Sequence, residues 1–308
     1  MSSQAVAAFV AVSATEPVRS VAAPFQGGLS WAGECILTLM LGFRRSNARS
    51  KALLLLAIAS HSALAGAAEP DRIFLRFEVF GGPGLHFMTL TTTVDQSSAG
   101  YSIAAQAETR GLADLFLDLR SRLEVRGRIA AGALLPQAMR AETHRRGADL
   151  NTRIDYGADG AVMAEASPPP AQSIVPASPA QRRGTIDQLT AYLVLARHLG
   201  RRGSCTLTLA VFDGRRRYDL NFTDAARETL PGIAGAVQVC WMSRRRIAGF
   251  AAESGGNETA DRGKLFFARL LSGDLMIPVR MEFASEFGSF TAELAELRGR
   301  GADLRLSE

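Results

Sequence analysis

The sequence predicts a mainly all-β fold, in which long antiparallel strands form a strongly curved sheet or half-barrel. Three observations support this prediction. Apolar and polar residues alternate with a period of two over most of the chain after residue 72, as expected for strands that bury one face. Gly, Pro and Asp residues that favour turns separate these stretches. Only residues 187–200 combine helical apolar spacing with capping residues at both ends, which predicts one helix.

The first predicted strands follow one another closely. Residues 73–80, 85–94 and 101–108 alternate and are rich in β-branched and aromatic side chains. A Gly-Gly-Pro-Gly turn separates the first two strands. Residues 112–130 are ambiguous, because their leucines fit both a helical spacing and a strand alternation. We favour long strands for this stretch, followed by two more that end at the hairpin signal of residues 157–160.

A proline-rich loop and the predicted helix interrupt the strands. Residues 166–184 contain five prolines, which predicts an exposed, semi-rigid loop. The helix then begins with Thr185 or Asp187 as its cap. Gly200 and Gly203 are expected to end it.

Strands return after the helix. Residues 205–212 alternate, and Asp213-Gly214 predicts a type I′ hairpin turn before the return strand. Further strands are predicted over residues 237–250 and in three segments between 265 and 297. We therefore expect ten to twelve long strands in a single β-rich domain of residues 66–308, with the helix plugging or flanking the open side of the sheet.

The first 65 residues are interpreted as targeting sequence. Basic residues precede an apolar run from Ala52 to Ser60, and Ala63-Leu64-Ala65 has the small-x-small pattern of a cleavage site. This predicts a secretory signal peptide cleaved after Ala65, with a retained membrane anchor as the alternative. Met40 has the form of a true start, which would make residues 1–39 an extension of the gene model. Ala67 stands where a lipoprotein needs cysteine, so we expect a periplasmic chain without a lipid anchor or integral membrane segment.

Charge and cysteine content change once this segment is removed. The full chain has 35 basic and 30 acidic residues, but residues 1–65 contain five of the basic and two of the acidic ones. The near balance that remains gives no support for nucleic-acid binding. Cys205 and Cys240 are left as an even pair in an oxidising compartment, which predicts a disulfide; two buried thiols are the alternative. Closing a loop of this length would stabilise the fold by about 3–4 kcal/mol.

Several motifs together resemble a known family. These are DQLTAYLVL at 187–195, FDGRRRYDL at 212–220, RRRIAGF at 244–250 and PVRMEFASEFGSFTAEL at 278–294. They resemble the bacterial family catalogued as domain of unknown function 3108, and the resemblance extends over roughly residues 72–297. The family consists of exported proteins with no established activity. The resemblance therefore implies export and a β-rich fold, and it implies no catalytic residues.

Two runs of arginine are the most specific candidate binding site. Guanidinium groups bind phosphate or carboxylate in a forked geometry, so the runs predict an anion-binding site. A solvated hairpin tip paired with Asp213 and Asp219 is the alternative interpretation. A disulfide at Cys240 would hold the two runs near each other. The candidate anion-binding residues are Arg215, Arg216, Arg217, Arg244, Arg245 and Arg246.

No catalytic or metal signature accompanies these runs. His86, His144 and His198 lack metal-binding spacing and have few acidic neighbours in sequence, so we interpret them as structural. The sequence contains no nucleophile elbow, phosphate-binding loop or dinucleotide fingerprint. We therefore predict no catalytic residues, no metal and no cofactor.

These observations favour an exported periplasmic protein that is not an enzyme. Phenylalanines scattered over the strands are either core residues or the lining of a groove for a lipid tail or peptide. We expect the ligand to be a hydrophobic or amphipathic envelope molecule, such as a lipid, or an envelope protein. The alternatives are a cell-envelope hydrolase, which would need a polar cleft, and an assembly scaffold that recruits partners through an exposed strand edge.

Overall fold

The structure is a computed structural model, and it describes residues 71–82, 84–251, 261–285 and 288–306. The predicted start at Met40 and the cleavage site after Ala65 lie outside these residues. Within the described stretches, no helix is both long and apolar enough to cross a membrane.

Strands dominate both halves of the described chain. Seven precede the long helix: β1 (Asp71–Gly81), β2 (Leu85–Gln96), β3 (Gly100–Thr109), β4 (Leu119–Ala130), β5 (Ala133–Arg145), β6 (Ala148–Tyr156) and β7 (Val162–Ser167). Eight follow it: β8 (Leu207–Phe212), β9 (Arg217–Asp224), β10 (Glu228–Thr229), β11 (Ala236–Ala248), β12 (Arg262–Ala268), β13 (Ile277–Ser285), β14 (Gly288–Gly299) and β15 (Ala302–Arg305). The helices are α1 (Leu112–Leu117), α2 (Pro179–Arg182) and α3 (Gln188–Arg202).

All of these strands belong to one large antiparallel sheet. Its order is β7-β6-β5-β4-β3-β2-β1-β14-β13-β12-β11-β9-β8, with β10 and β15 attached to β11 and β14. Most neighbours in the sheet are also neighbours in the chain. There are two exceptions: β9 pairs with β11 past the short β10, and β1 pairs with β14, which places Ile73 opposite Gly299. The mainly all-β, antiparallel prediction is confirmed, and the strand count exceeds the expected ten to twelve.

The sheet is strongly curved but does not close into a barrel. In a flat sheet, β6 and β8 would lie roughly 50 Å apart, since neighbouring strands are about 4.8 Å apart. Instead, Gly214 between β8 and β9 packs on β6: a Cβ built at Gly214 would lie 2.1 Å from Cγ2 of Thr152. The two ends of the sheet are therefore in contact, while β7 and β8 remain its edges.

Helix α3 fills the concave face of this sheet. Leu195 and Ala191 are fully buried, and buried side chains occur all around the helix. Asp187 caps its N-terminus by accepting a hydrogen bond from the Thr190 backbone N–H at 2.8 Å. Gly203 ends it in the left-handed conformation, with φ 68°.

Gly200 has a different role from the predicted one. It lies inside α3 rather than ending it. A Cβ at this position would lie 1.8 Å from the Asp274 carbonyl oxygen. Glycine is required there because the helix passes close to the backbone between β12 and β13.

Two further local predictions are wrong. Residues 112–117 form helix α1 instead of a strand, because Gly111 at φ 57° and Asp118 at φ 37° reverse the chain on either side of it. The connection after β8 has four residues and not two, since Phe212 pairs with Arg217. The Asp213 side chain closes this longer turn by accepting the backbone N–H groups of residues 215 and 216.

The proline-rich segment links the two edges of the sheet. It contains the short helix α2, and Gly184 donates a backbone hydrogen bond to Gly160 next to β7. Ile186 then forms a parallel bridge with Val211 of β8. This contact covers part of the β8 edge before the chain enters α3.

Candidate functional site

The predicted disulfide is present in the structure. Cys205 and Cys240 are bonded, their Cα atoms are 5.6 Å apart, and neither residue is exposed. The bond joins the segment before β8 to β11, two positions away in the sheet. It therefore fixes the end of the sheet that carries both arginine runs.

The two arginine runs lie on neighbouring strands. In the pairing of β9 with β11, Arg246 stands opposite Tyr218 and Arg245 stands opposite Asp219. Consecutive residues of a strand point to opposite faces of the sheet. Arg217 and Arg245 therefore lie on one face, and Arg244 and Arg246 lie on the other. Arg215 and Arg216 belong to the turn between β8 and β9.

The inward-facing arginines surround two aromatic rings. Arg244 and Arg246 each donate through Nε to Asp261 at 2.7 Å, and their side chains are only 11% and 17% exposed. Arg244 lies over the Tyr218 ring, and Arg246 lies over the Phe250 ring at 5.4 Å. Arg216 also lies over Phe250, at 5.5 Å, so three guanidinium groups converge here. We call this cluster the arginine site: Arg216, Tyr218, Arg244, Arg246, Phe250 and Asp261, with Asp213 beside it.

Asp213 is the buried carboxylate of this region. It is 3% exposed, and its Oδ1 accepts the backbone N–H of Arg216 at 2.7 Å. Burial raises the pKa of the Asp213 carboxyl, and the charge of Arg216 offsets part of this rise. Its Oδ2 is buried and has no hydrogen-bond partner among the described residues. Asp213 Oδ2 is therefore the acceptor in this turn that is left without a donor among the described residues.

The remaining three arginines are held by local partners. Arg217 donates to Asp219 Oδ1 at 2.7 Å, and Arg245 forms an ion pair with the same carboxylate. Burial opposes the ionisation of Asp219, but the hydrogen bonds from these two arginines outweigh it and lower its pKa. Arg215 donates to the Pro168 carbonyl oxygen at 2.6 Å. These three arginines therefore fit the alternative interpretation, in which the arginines of the hairpin bind local partners and no ligand.

A buried polar cluster, which no sequence pattern predicted, surrounds the beginning of α3. The Tyr101 hydroxyl lies 2.9 Å from Thr190 Oγ1, which in turn donates to Asp187. Tyr218 donates to Gln188 Oε1 at 3.3 Å. All four tyrosines of the chain carry a pKa raised by burial, and for Tyr192 it reaches about 12. These residues are scattered over the sequence, so no local pattern could reveal the cluster.

Two histidines have acidic partners that their sequence neighbourhood did not indicate. His144 Nδ1 lies 2.7 Å from Asp149, and its Nε2 lies 3.2 Å from Asp118. The hydrogen bond with Asp149 raises the pKa of His144. His86 Nε2 lies 2.8 Å from Glu78. The described residues contain no group of three or more ligands that could hold a metal ion.

His144 and Asp149 border an open depression of about 550 Å³ that residues of β3 to β6 line. Arg120 lies here between two carboxylates, at 3.5 Å from Asp118 and 3.9 Å from Glu108. The nearby hydroxyls of Ser121 and Thr143 are buried and lie 2.8 Å from each other. The arrangement can hold a protonated imidazole between carboxylates.

An exposed apolar surface at α1 is the second feature that sequence reasoning missed. Leu115 is 78% exposed and Phe116 is 71% exposed. Leu112 belongs to the same helix, and Leu85 begins β2, which contacts α1. We call this surface the apolar tip: Leu85, Leu112, Leu115 and Phe116. Its helical spacing was visible in the sequence, but only the fold shows that it points to solvent.

The phenylalanines of the strands mostly form core. Phe77, Phe222 and Phe266 are each 1% exposed and belong to one continuous cluster of buried residues that includes α3. The helix thus occupies the space that a groove for a lipid tail would need.

Comparison with known proteins identifies a family without an assigned activity. Residues 76–295 match the family described as "Protein of unknown function (DUF3108)". No curated protein matches the chain. Among solved structures, the chain is similar to a beta-barrel-like protein of domain of unknown function DUF1849 from Brucella abortus. The two chains are 10% identical, with 75% of this chain and 98% of the other covered and a TM-score of 0.44.

Proposed function

The chain belongs to the DUF3108 family of proteins of unknown function, and we propose that it is an exported, non-catalytic binding protein of the bacterial envelope. Its ligand is an amphipathic molecule with an anionic headgroup, such as a phosphate or a carboxylate. The headgroup binds at the arginine site.

The observation that carries this proposal is the convergence of Arg216, Arg244 and Arg246 on the rings of Tyr218 and Phe250. Guanidinium groups bind oxyanions through paired N–H donors, and low exposure strengthens such hydrogen bonds. The rings add apolar surface beside the charges, which suits a ligand with both an anionic and a non-polar part. Because α3 fills the concave face, the non-polar part binds next to the arginine site and not inside the sheet.

Native mass spectrometry of the protein purified from the periplasm tests the binding proposal. We expect a co-purified anionic amphiphile in the wild type and its loss in the Arg216→Gln/Arg244→Gln/Arg246→Gln variant. The matched control is Arg122→Gln/Arg126→Gln/Arg140→Gln, which removes three charges that form no ion pair among the described residues.

One outcome would contradict the arginine site, and a single variant covers the case in which the triple variant unfolds. Equal ligand occupancy in both triple variants would contradict the arginine site. Should the first variant unfold, Arg216→Gln alone leaves the Asp261 ion pairs intact and is expected to lower occupancy. Cell fractionation with N-terminal sequencing tests export separately, and the expected mature N-terminus is Gly66.

A scaffold function is the second candidate, and the free edge of β7 favours it. Among the described strands, β7 pairs only with β6, and its Met163 is 69% exposed. Such an edge can accept a strand from a partner. A photo-crosslinker at position 163 should then capture one envelope protein in the living cell, and its failure to do so would leave ligand binding as the better proposal.

A further inference from the structure

We propose that the apolar tip docks the protein on a lipid bilayer, with Leu112, Leu115 and Phe116 inserting into the membrane surface. This interaction is separate from the ligand binding proposed above, because the apolar tip lies at α1 and the arginine site lies on β9 and β11.

The apolar tip concentrates exposed apolar side chains in one place. Its members are 49–78% exposed, and four of the seven large exposed hydrophobic residues of the described chain belong to it. The other three are Met163, Val175 and Trp241, which lie in β7, the proline-rich segment and β11. Single exposed hydrophobic residues are common on soluble proteins, whereas a contiguous group marks an interaction site.

Helix α1 exposes three of its four large apolar residues, unlike an ordinary surface helix. A surface helix normally packs its apolar face on the core. In α1, Ala113 is the buried residue, and Asp114 accepts a hydrogen bond from Thr109 Oγ1 at 2.8 Å. These inward contacts anchor the helix through its small and polar residues. Leu117 also packs partly against the core, whereas Leu112, Leu115 and Phe116 are left on the outside.

A cation beside the apolar tip fits the phosphate of a lipid headgroup. Arg146 is exposed, and its Nε donates to the Phe116 carbonyl oxygen at 2.9 Å. It forms no ion pair with any described residue, so its terminal N–H groups can donate to a phosphate. An apolar surface flanked by arginine is typical of segments that lie in the membrane interface.

The size of the apolar tip favours a bilayer over a folded protein partner. Its exposed area is on the order of 450 Å², since a large apolar side chain offers roughly 150–250 Å² when fully exposed. A stable protein interface buries about 800 Å² on each partner. Residues that are 60–78% exposed also protrude instead of lining a groove, so they suit insertion into a soft surface.

Flotation with lipid vesicles tests the proposal on the full mature chain. The probes are phosphatidylcholine vesicles with and without phosphatidylglycerol. We expect the wild type to float with both, and Leu115→Ser/Phe116→Ser to reduce the bound fraction at least tenfold. The matched control, Met163→Ser/Val175→Ser, removes two apolar residues of similar exposure elsewhere and should float like the wild type. Arg146→Gln should weaken binding to both kinds of vesicle, and more strongly to those that contain anionic phosphatidylglycerol.

The other outcomes overturn the proposal. One is a wild type that does not float, and another is an equal loss in the two serine variants. A third is a wild-type dimer that becomes monomeric in Leu115→Ser/Phe116→Ser, which would assign the apolar tip to a contact between copies. All the substituted side chains are exposed, so thermal unfolding should be unchanged. The arginine-site triple variant should still float, which separates this test from that of the proposed ligand.

Discussion

Strands β4 and β11 both carry several arginines, yet they place them differently. In β4, the arginines stand two or four positions apart, at 120, 122, 126 and 128, and all are exposed. In β11, Arg244, Arg245 and Arg246 are consecutive. Because a strand alternates its faces, the first spacing puts every charge in water and the second forces Arg244 and Arg246 inward.

The difference shows that the spacing of charges within a strand decides whether the fold has to supply partners. Exposed ion pairs contribute little to stability, so β4 needs no particular counter-charge. The inward arginines of β11 need Asp261, which arrives from the segment before β12, and the rings of Tyr218 and Phe250. A consecutive charged run in a strand therefore predicts a buried partner elsewhere in the chain.

The largest loss of stability is expected from removing the disulfide that fixes β11. Cys205 and Cys240 are 35 positions apart, and a loop of that length stabilises the folded state by about 4 kcal/mol in the chain-entropy treatment. Cys205→Ser/Cys240→Ser should lower the free energy of unfolding in urea by about this amount. Wild-type protein unfolded in urea with a reducing agent should have the same midpoint as this variant. If the variant instead unfolds at the midpoint of the oxidised wild type, β11 does not need the covalent bond.

The second-largest loss of stability is expected from removing the carboxylate that pairs with both inward arginines. Asp261→Ala leaves Arg244 and Arg246 largely buried without this partner, which should cost about 3 kcal/mol. The matched change on β4 is Glu124→Ala, where the side chain is exposed and the expected effect is within about 0.5 kcal/mol. Chemical denaturation of both variants compares the strands directly, and equal losses would remove the distinction between them.

The pH dependence of stability distinguishes buried from paired carboxylates. Burial raises the pKa of Asp187, and the hydrogen bonds from Thr190 offset only part of the rise. Its favourable contribution is therefore present below the ordinary aspartate pKa and is lost as the pH rises through the folded value. Asp219 has a lowered pKa, so its contribution is present above the ordinary value and is lost as the pH falls through the folded value.

Two neutral variants measure these opposite slopes. From pH 3 upward, the stability of the wild type relative to Asp187→Asn should fall, whereas its stability relative to Asp219→Asn should rise. Urea unfolding across pH 3–7 gives both curves. Parallel curves would mean that the two carboxylates experience the same environment.

The smallest effect is expected on β4 itself. Arg122→Gln removes an exposed charge that has no ion pair among the described residues, so stability should change by less than about 0.5 kcal/mol. Arg244→Gln on β11 should be clearly more destabilising, since Asp261 then loses one of its two arginines. Differential scanning calorimetry of this pair is the most direct comparison, and a reversed order would contradict the assignment of faces.

Local patterns predicted the features that depend on local chemistry. Alternation identified the first three strands. For α3, the sequence offered Thr185 or Asp187 as the cap and Gly200 and Gly203 as the end, and the structure uses Asp187 and Gly203. The disulfide was likewise predictable, because Cys205 and Cys240 are the two cysteines that follow residue 65. Residues 112–117 could not be resolved because their spacing fits helix and strand equally, and the positive φ angles of Gly111 and Asp118 decide between them.

The candidate sites were less predictable, because distant residues create them. The arginine runs were visible in the sequence, but their division between two faces depends on the register of β9 against β11. Asp261 was not identifiable as the partner of Arg244 from its position in the sequence. In the same way, Tyr101 meets Thr190 only after the sheet has curved around α3.

The pairing of β1 with β14 has a consequence for the order of folding. Strands β1 to β7 pair with near neighbours in the chain and can assemble as soon as they have been synthesised. The free side of β1 cannot be completed until β14, more than 200 residues later, becomes available. Until then β1 presents unsatisfied backbone groups, which makes this edge the point most exposed to aggregation during biogenesis.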